Sequence, residues 1–120
     1  MNVILGDGLL GSSVIGLSGW NYASRREHGF DINRTSTWGA CISKWTQTII
    51  NLIANTDTYS EKIDDLFQTN YRGVIDLVDY CNSKDIKLVH FSTDYVYENS
   101  RSNAKETFKA SPGNAYAMSK

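Results

Sequence analysis

The sequence has little proline, little cysteine and no long apolar segment: its 120 residues include one proline and two cysteines. The start of the chain lacks a basic segment followed by a long apolar stretch, so neither a signal peptide nor a membrane span is expected. Cys41 and Cys81 have no metal-ligand spacing and cannot build a disulfide framework, which favours a cytoplasmic protein with free thiols. His28 and His90 are far apart in the sequence, and no metal site is expected.

Runs of charge of one sign are also absent. The formal net charge is −1, which gives no indication of binding to nucleic acid or to an anionic membrane through charge. Apolar residues make up 41% of the chain and charged residues 21%, as in an ordinary globular domain. A chain of this length suits one domain, residues 1–120, with a sizeable core.

Short apolar segments that end in turn residues alternate with segments of helical periodicity. Strands are predicted over residues 2–6, 20–24, 48–53 and 86–91, with a very short one at 30–32. Helices are predicted over residues 9–17, irregularly over 36–45, from a capping box at 58–61 to about residue 81, and from 115 onward. Residues 98–114 are predicted to form a loop. The alternation predicts an α/β fold, a Rossmann-like doubly wound parallel sheet.

Three glycines follow the first predicted strand with the spacing Gly-x-Gly-x-x-Gly. Gly6 permits a tight turn, Gly8 lets the backbone approach a pyrophosphate, and Gly11 lets the next helix pack against the strand. Leu9 and Leu10 complete the turn, where the free amides of the helix N-terminus face the anion. The motif predicts a dinucleotide-binding turn; a purely structural turn is the alternative.

The second predicted strand ends in Ser24-Arg25-Arg26. In dinucleotide-binding folds this position meets the adenosine ribose, where an acidic residue favours NAD and an arginine accommodates the 2′-phosphate of NADP. A guanidinium binds phosphate through paired donors, and the serine hydroxyl adds another donor. NADP is therefore favoured over NAD as the cofactor. The alternative is two solvated surface arginines.

Tyr116 and Lys120 are four residues apart, so on a helix they share one face. A lysine ammonium beside a phenol favours the phenolate and eases proton transfer. Tyr80 and Lys84 have the same spacing, but Tyr116 also follows a predicted strand that ends near a hydroxyl, that of Thr93. Such a hydroxyl can hydrogen-bond a carbonyl oxygen while the tyrosine donates its proton. Thr93, Tyr116 and Lys120 are the predicted catalytic residues.

These motifs resemble the extended short-chain dehydrogenase/reductase superfamily, and within it the dTDP-4-dehydrorhamnose reductase branch of sugar-nucleotide reductases. The resemblance covers nearly the whole chain in the correct order. It is carried by Phe30-Asp-Ile32, Asn51-Leu-Ile-Ala-Asn-Thr56, Asn70-x-x-Gly73, Phe91-Ser-Thr-Asp-Tyr-Val-Tyr97 and Tyr116-x-x-x-Lys120.

The resemblance implies further cofactor-binding residues. Asp31 and Ile32 are expected to meet the adenine, and Ile53 and Ala54 are expected to lie beside the cofactor ribose and nicotinamide. Asn70 is expected to support the geometry of the active site. Ile53 stands where similar proteins usually have a small residue, and the glycine turn is one residue shorter than in many of them.

The resemblance also implies a reaction, the transfer of hydride from NAD(P)H to a keto-sugar on a nucleotide carrier. Asp94 and Tyr95 favour the reductase branch and are expected to line the substrate side. Epimerases and dehydratases use the same three catalytic residues, so a sugar-nucleotide epimerase or dehydratase remains an alternative. A dinucleotide-binding module without catalysis is the third interpretation.

Similar proteins continue past the position of Lys120 with a substrate lobe and further strands. The 120-residue chain is therefore expected to be an incomplete Rossmann domain with negligible reductase activity on its own. Without further strands, the strand at 86–91 would have an unpaired edge, which invites pairing with another chain. A homo-oligomer is expected through this edge.

Overall fold

The structure is a computed structural model, and it describes residues 1–97 and 103–120. These residues form a four-stranded parallel sheet with the strand order β2-β1-β3-β4. The strands are β1 (Asn2–Leu5), β2 (Asn21–Ala23), β3 (Thr48–Asn51) and β4 (Lys87–His90). The order reverses between β1 and β3, which confirms the doubly wound, Rossmann-like arrangement. Each of the four main predicted strands is present and is shorter than predicted by one or two residues.

The helices that connect the strands are α1 (Leu9–Ser18), α2 (Arg25–His28), α3 (Ile63–Phe67) and α4 (Gly73–Lys84). Helix α5 (Ala115–Ser119) follows β4. The π-helical turn Gln68–Arg72 joins α3 to α4, so that residues 63–84 form one helical run. Short 3₁₀ turns lie at Thr35–Thr37 and Asp94–Tyr97. No helix in the described part of the chain is long and apolar enough to cross a membrane.

The strand predicted at residues 30–32 is wrong, because this segment is a loop. The backbone of Asp31 bonds to the side chains of Thr37 and Trp38 instead of a neighbouring strand. Its N–H donates to Thr37 Oγ1 at 2.9 Å, and its carbonyl oxygen accepts from Trp38 Nε1 at 2.8 Å. The apolar residues on either side of Asp31 are buried, which explains the strand-like sequence pattern.

The helix predicted over residues 36–45 is also wrong. The segment contains the 3₁₀ turn Thr35–Thr37 and then turns and bends. Trp38 and Ile42 are buried at helical spacing, and the Ile42 N–H donates to the Trp38 carbonyl oxygen at 2.8 Å. Gly39 lies between them, and its backbone entropy opposes a regular helix.

The capping box predicted at residues 58–61 is not formed. The first helix of the long helical run begins at Ile63, after Lys62, and Lys62 makes no side-chain cap. The Ser60 hydroxyl instead accepts a hydrogen bond from the Lys62 N–H at 3.0 Å. The predicted loop at 98–114 is free of helices and strands over 103–114; residues 98–102 lie outside the described residues.

The main core lies between the sheet and α4. Its buried members come from three strands, the 24–47 connection and α4: Val3, Leu5, Ala23, Phe30, Ile32, Trp38, Ile42, Ile49, Leu77 and Cys81. Trp38 stacks on Phe30 with ring centroids 5.9 Å apart and meets Tyr80 edge-on at 5.4 Å. The burial of each large apolar side chain in this core stabilises the fold by roughly 1.5–3 kcal/mol relative to an exposed side chain. This core fixes the strands whose carboxyl ends carry the site.

Candidate functional site

A cleft of about 1110 Å³ opens at the carboxyl ends of β1 and β3, where the strand order reverses. Ligands of open α/β sheets bind in this crevice. Most of the predicted site residues line it: Gly6, Gly8, Leu9, Leu10, Gly11, Ser24, Arg25, Arg26, Asp31, Ile32, Ile53, Ala54, Tyr116 and Lys120. The remaining predicted residues lie outside the lining: Asn70, Thr93, Asp94 and Tyr95.

The glycine turn is packed tightly against the start of α1. A Cβ atom on Gly11 would lie 2.1 Å from the Gly6 carbonyl oxygen, so no side chain fits there. Gly6 has φ +100°, a conformation that side chains disfavour, and a Cβ would also approach Ile53 Cγ1 to 3.1 Å. Gly8 precedes α1 without a side-chain cap. The first amides of this ten-residue helix are therefore left to face an anion in the cleft.

The two arginines after β2 are in different environments. Arg26 Nη2 lies 2.8 Å from Asp7 Oδ2, and Glu27 is a second acidic neighbour at 3.8 Å. Arg25 is exposed and has no ion pair within the described ranges. Arg25 is thus the arginine whose guanidinium is free to meet a phosphate.

Ser24 has a structural role that the sequence did not indicate. Its side chain is buried, and its Oγ accepts a hydrogen bond from the Glu27 N–H at 3.2 Å, which caps α2. The serine therefore fixes the direction in which Arg25 and Arg26 leave the strand. The Ser24 hydroxyl would have to donate to a phosphate while its oxygen still accepts from the Glu27 N–H.

Asp7 is a cleft residue that sequence reasoning missed. It lies between the first two glycines, its carbonyl oxygen accepts from Ser12 Oγ at 2.7 Å, and its carboxylate pairs with Arg26. A carboxylate repels an anion, so the Arg26 guanidinium that pairs with Asp7 reduces the negative charge beside the predicted phosphate-binding turn. The sequence signal was present, since Asp7 is the one acidic residue inside the motif.

The second end of the cleft is formed by α5. Asn114 caps this helix, because its Oδ1 accepts from the Ala117 N–H at 2.8 Å. Tyr116 and Lys120 both line the cleft. Burial lowers the pKa of the Lys120 ammonium. Ser92 lies at the end of β4, and its Oγ donates to the Lys120 carbonyl oxygen at 3.4 Å.

His90 is a strand histidine with a hydrogen-bonding partner. The Asn51 Nδ2 atom lies 3.2 Å from His90 Nδ1, and Asn51 is completely buried. Burial lowers the pKa of His90, and the positive charge of Lys120 lowers it further. The neutral ring can accept from the amide, which fits this direction. In the part of the chain that the structure describes, no group of histidine, cysteine or acidic residues could hold a metal ion.

Thr93 lies beside the predicted catalytic helix but not in the cleft lining. Its Oγ1 accepts from the Tyr95 N–H at 3.3 Å, at the start of the 3₁₀ turn Asp94–Tyr97. The Tyr95 ring meets the Tyr116 ring edge-on, with centroids 5.8 Å apart. The structure therefore brings Thr93 and Tyr116 to the same region through Tyr95, and Thr93 itself does not line the cleft.

Asn70 is also outside the lining and reaches the cleft through the loop after β3. Its Oδ1 accepts from the Asn55 N–H at 2.8 Å, and its Nδ2 donates to the Asn55 carbonyl oxygen at 2.9 Å. Asn55 itself lines the cleft. Asn70 therefore contacts the backbone of a cleft residue and does not itself line the cleft.

Tyr80 and Lys84, the second pair with the same spacing, are remote from the cleft. Both lie on α4, and the Tyr80 ring packs against Trp38 in the core. Other polar cleft residues were not singled out from the sequence as binding residues: Asn33, Asn55, Thr56, Asp57, Thr69 and Ser92. Several of these follow β3 or β4, and their position after a strand was the signal that could have found them.

Residues 8–120 match the model of the NAD dependent epimerase/dehydratase family, and the chain belongs to that family. No curated protein sequence matches the chain significantly. Fold, cleft and family agree, because the matched region contains most of the glycine turn and the Tyr-x-x-x-Lys pair.

Solved structures resemble the chain over nearly all of its length. A hypothetical dTDP-4-dehydrorhamnose reductase from Sulfolobus tokodaii is 25% identical with a TM-score of 0.84, over 99% of this chain and 49% of its own. The reductase of that name from Clostridium acetobutylicum is 24% identical with a TM-score of 0.82, over 99% and 46%. The one from Bacillus anthracis, in complex with NADP, is 22% identical with a TM-score of 0.82, over 98% and 45%. The chain thus spans about half the length of these structures.

Proposed function

We propose that the chain is the dinucleotide-binding part of a sugar-nucleotide reductase, which reduces a keto-sugar carried on a nucleotide and favours NADP over NAD. The observation that carries the proposal is the arrangement of the cleft. The glycine turn lies at one end of it, and Tyr116 and Lys120 lie at the other. Support also comes from the family membership and from neighbours named as dTDP-4-dehydrorhamnose reductases.

The residues present fit a dinucleotide. The cradle between Gly6 and Gly11 is too tight for a Cβ atom, which leaves backbone amides at the surface that a pyrophosphate would contact. Arg25 would meet a 2′-phosphate, and Asp31 and Ile32 would lie beside the adenine. Ile53 and Ala54 would face the second ribose and the nicotinamide. A bound cofactor would supply the hydride.

The residues of the chain would then handle the proton and the carbonyl. Tyr116 would protonate the carbonyl oxygen of the sugar. Lys120 would stabilise the ionised phenol by its charge and hold a ribose hydroxyl. Thr93 would orient the carbonyl by hydrogen bonding. Asp94 and Tyr95 would contact the sugar nucleotide.

A second candidate is a dinucleotide-binding module without catalysis. It is favoured by the positions of Thr93, Asp94 and Tyr95 outside the lining of the cleft. An epimerase would use the same cleft, and one neighbour is a heptose epimerase from Helicobacter pylori. We expect the 120-residue chain to bind the cofactor and to reduce keto-sugar nucleotides negligibly; measurable reduction in that assay would exclude the non-catalytic module.

Fluorescence titration of the chain with NADPH and NADH tests the proposal. We expect saturable binding that is tighter for NADPH. Arg25→Gln should weaken NADPH binding about tenfold and leave NADH binding unchanged, because it removes a charged contact to the 2′-phosphate. Arg72→Gln is the control, since Arg72 is exposed and does not line the cleft. A folded chain that binds neither nucleotide would contradict the proposal, and equal affinities unaffected by Arg25→Gln would contradict the preference for NADP.

A further inference from the structure

A buried hydrogen-bonded link joins the loop after β3 to α5, the predicted catalytic helix. Asn70 and Ser119 are both only 2% exposed. Asn70 Nδ2 donates to Ser119 Oγ at 3.0 Å, and Ser119 Oγ donates to the Tyr116 carbonyl oxygen at 2.7 Å. Polar groups buried to this extent are costly unless they are paired, so these bonds hold the two side chains in one arrangement.

The other end of the link is the loop after β3. The Oδ1 and Nδ2 atoms of Asn70 both form hydrogen bonds with the backbone of Asn55, and Asn55 lines the cleft. Asn70 itself lies in the π-helical turn Gln68–Arg72. Such turns are frequent at functional sites. One buried side chain thus contacts the cleft loop on one side and Ser119 of α5 on the other.

The chain contains a natural comparison for Ser119. Ser83 has the same place between Tyr80 and Lys84 as Ser119 has between Tyr116 and Lys120. Ser83 Oγ also donates to the tyrosine carbonyl oxygen, at 2.8 Å. Ser83 is exposed, however, and no asparagine of the described residues bonds to it. The local helix bond is therefore shared by both sites, whereas the link to Asn70 is specific to Ser119.

We propose that Ser119 is a positioning residue: with Asn70 it couples the cleft loop at Asn55 to α5, so that ligand binding in the cleft and the placement of Tyr116 and Lys120 depend on each other. Ser119 does not line the cleft and acts through its neighbours. The coupling to a dinucleotide rests on the proposed function. The structural coupling between Asn55 and Ser119 does not.

The first test needs no ligand. Amide hydrogen exchange is measured at Asn55 in the wild-type chain, in Ser119→Ala and in Ser83→Ala. We expect Ser119→Ala to speed the exchange of the Asn55 amide about fivefold, because Asn70 loses one of its anchors. Ser83→Ala should leave it unchanged. Equal exchange in all three proteins would overturn the link.

The second test measures NADPH affinity by fluorescence. Ser119→Ala should weaken binding about fivefold, with Ser83→Ala equal to wild type. In an Asn70→Ala background, Ser119→Ala should cause no further loss, because the two residues act as one unit. Losses that simply add would overturn the coupling. A wild-type chain that does not bind NADPH would count against the proposed function alone, and the exchange experiment would still decide the link.

The wild-type chain provides a measurement that does not depend on whether the variants fold. Saturating NADPH should slow amide exchange at Asn55 and at Ala117 in α5 together. Protection of Asn55 without protection of Ala117 would show that the cleft and the helix respond separately, which contradicts the proposal.

Discussion

At the scale of single residues, burial and charge determine the protonation of His90 and Lys120. His90 is half-buried beside Asn51, and the positive charge of the Lys120 ammonium lowers the pKa of its ring. Burial and this charge both act against a protonated His90. Burial also acts against the Lys120 ammonium itself, whose pKa is lowered. The site therefore prefers a neutral imidazole beside its lysine.

The lowered pKa of His90 has a consequence for stability. The usual pKa is 6.5, so the unfolded chain takes up a proton near that pH while the folded chain does not. The free energy of unfolding should decrease as the pH falls below about 6.5, until the folded histidine is protonated as well. When the pH is lowered from about 7.5 to about 5.5, we expect the free energy of unfolding to decrease less in His90→Gln than in the wild type. Urea unfolding at the two pH values measures this, and parallel losses in both proteins would refute it.

At the scale of elements, the packing of α1 on the glycine turn is the tightest constraint on the cleft. Gly11 has no room for a side chain, whereas a Cβ on Gly16 of the same helix would meet no atom within 4 Å. Gly11→Ala should lower the free energy of unfolding by about 1–3 kcal/mol, because the turn must move. NADPH binding should be lost with it. Gly16→Ala should instead stabilise the chain by about 0.5–1 kcal/mol through its higher helix propensity.

Urea unfolding and NADPH titration of the two alanine variants check this pair. If Gly11→Ala is as stable as Gly16→Ala and binds NADPH with wild-type affinity, then the turn tolerates a side chain at Gly11 and this prediction is wrong.

The sequence predicted the elements that a short, continuous stretch of residues specifies. The strands followed from short apolar segments, and the glycine turn followed from its spacing. Phe30 and Ile32 misled the prediction because a buried loop can have the apolar spacing of a strand. The bond between Asn70 and Ser119 joins residues far apart in the sequence, so no local pattern contained it. Thr93 follows a strand, as predicted, but it does not line the cleft.

At the scale of the whole molecule, β4 is the last strand of the described sheet and has β3 as its neighbour on one side. The Lys87 N–H donates inward to the Gln47 carbonyl oxygen at 2.9 Å, so the alternate residues of β4 direct their backbone groups to the open edge. An unpaired edge is a template for another strand. We expect the mass measured by light scattering to rise above 13.5 kDa with concentration. A mass that stays at the monomer value at high concentration would contradict this.

The account depends most on the claim that the cleft between β1 and β3 holds a dinucleotide. Amide chemical shifts of the isotopically labelled chain, followed during titration with NADPH, test this claim directly. We predict saturable shifts at the glycine turn (residues 6–11) and at the loop after β3 (residues 52–57), with little change at Ser83 on α4. Shifts that do not saturate, or that cluster away from these two segments, would contradict it.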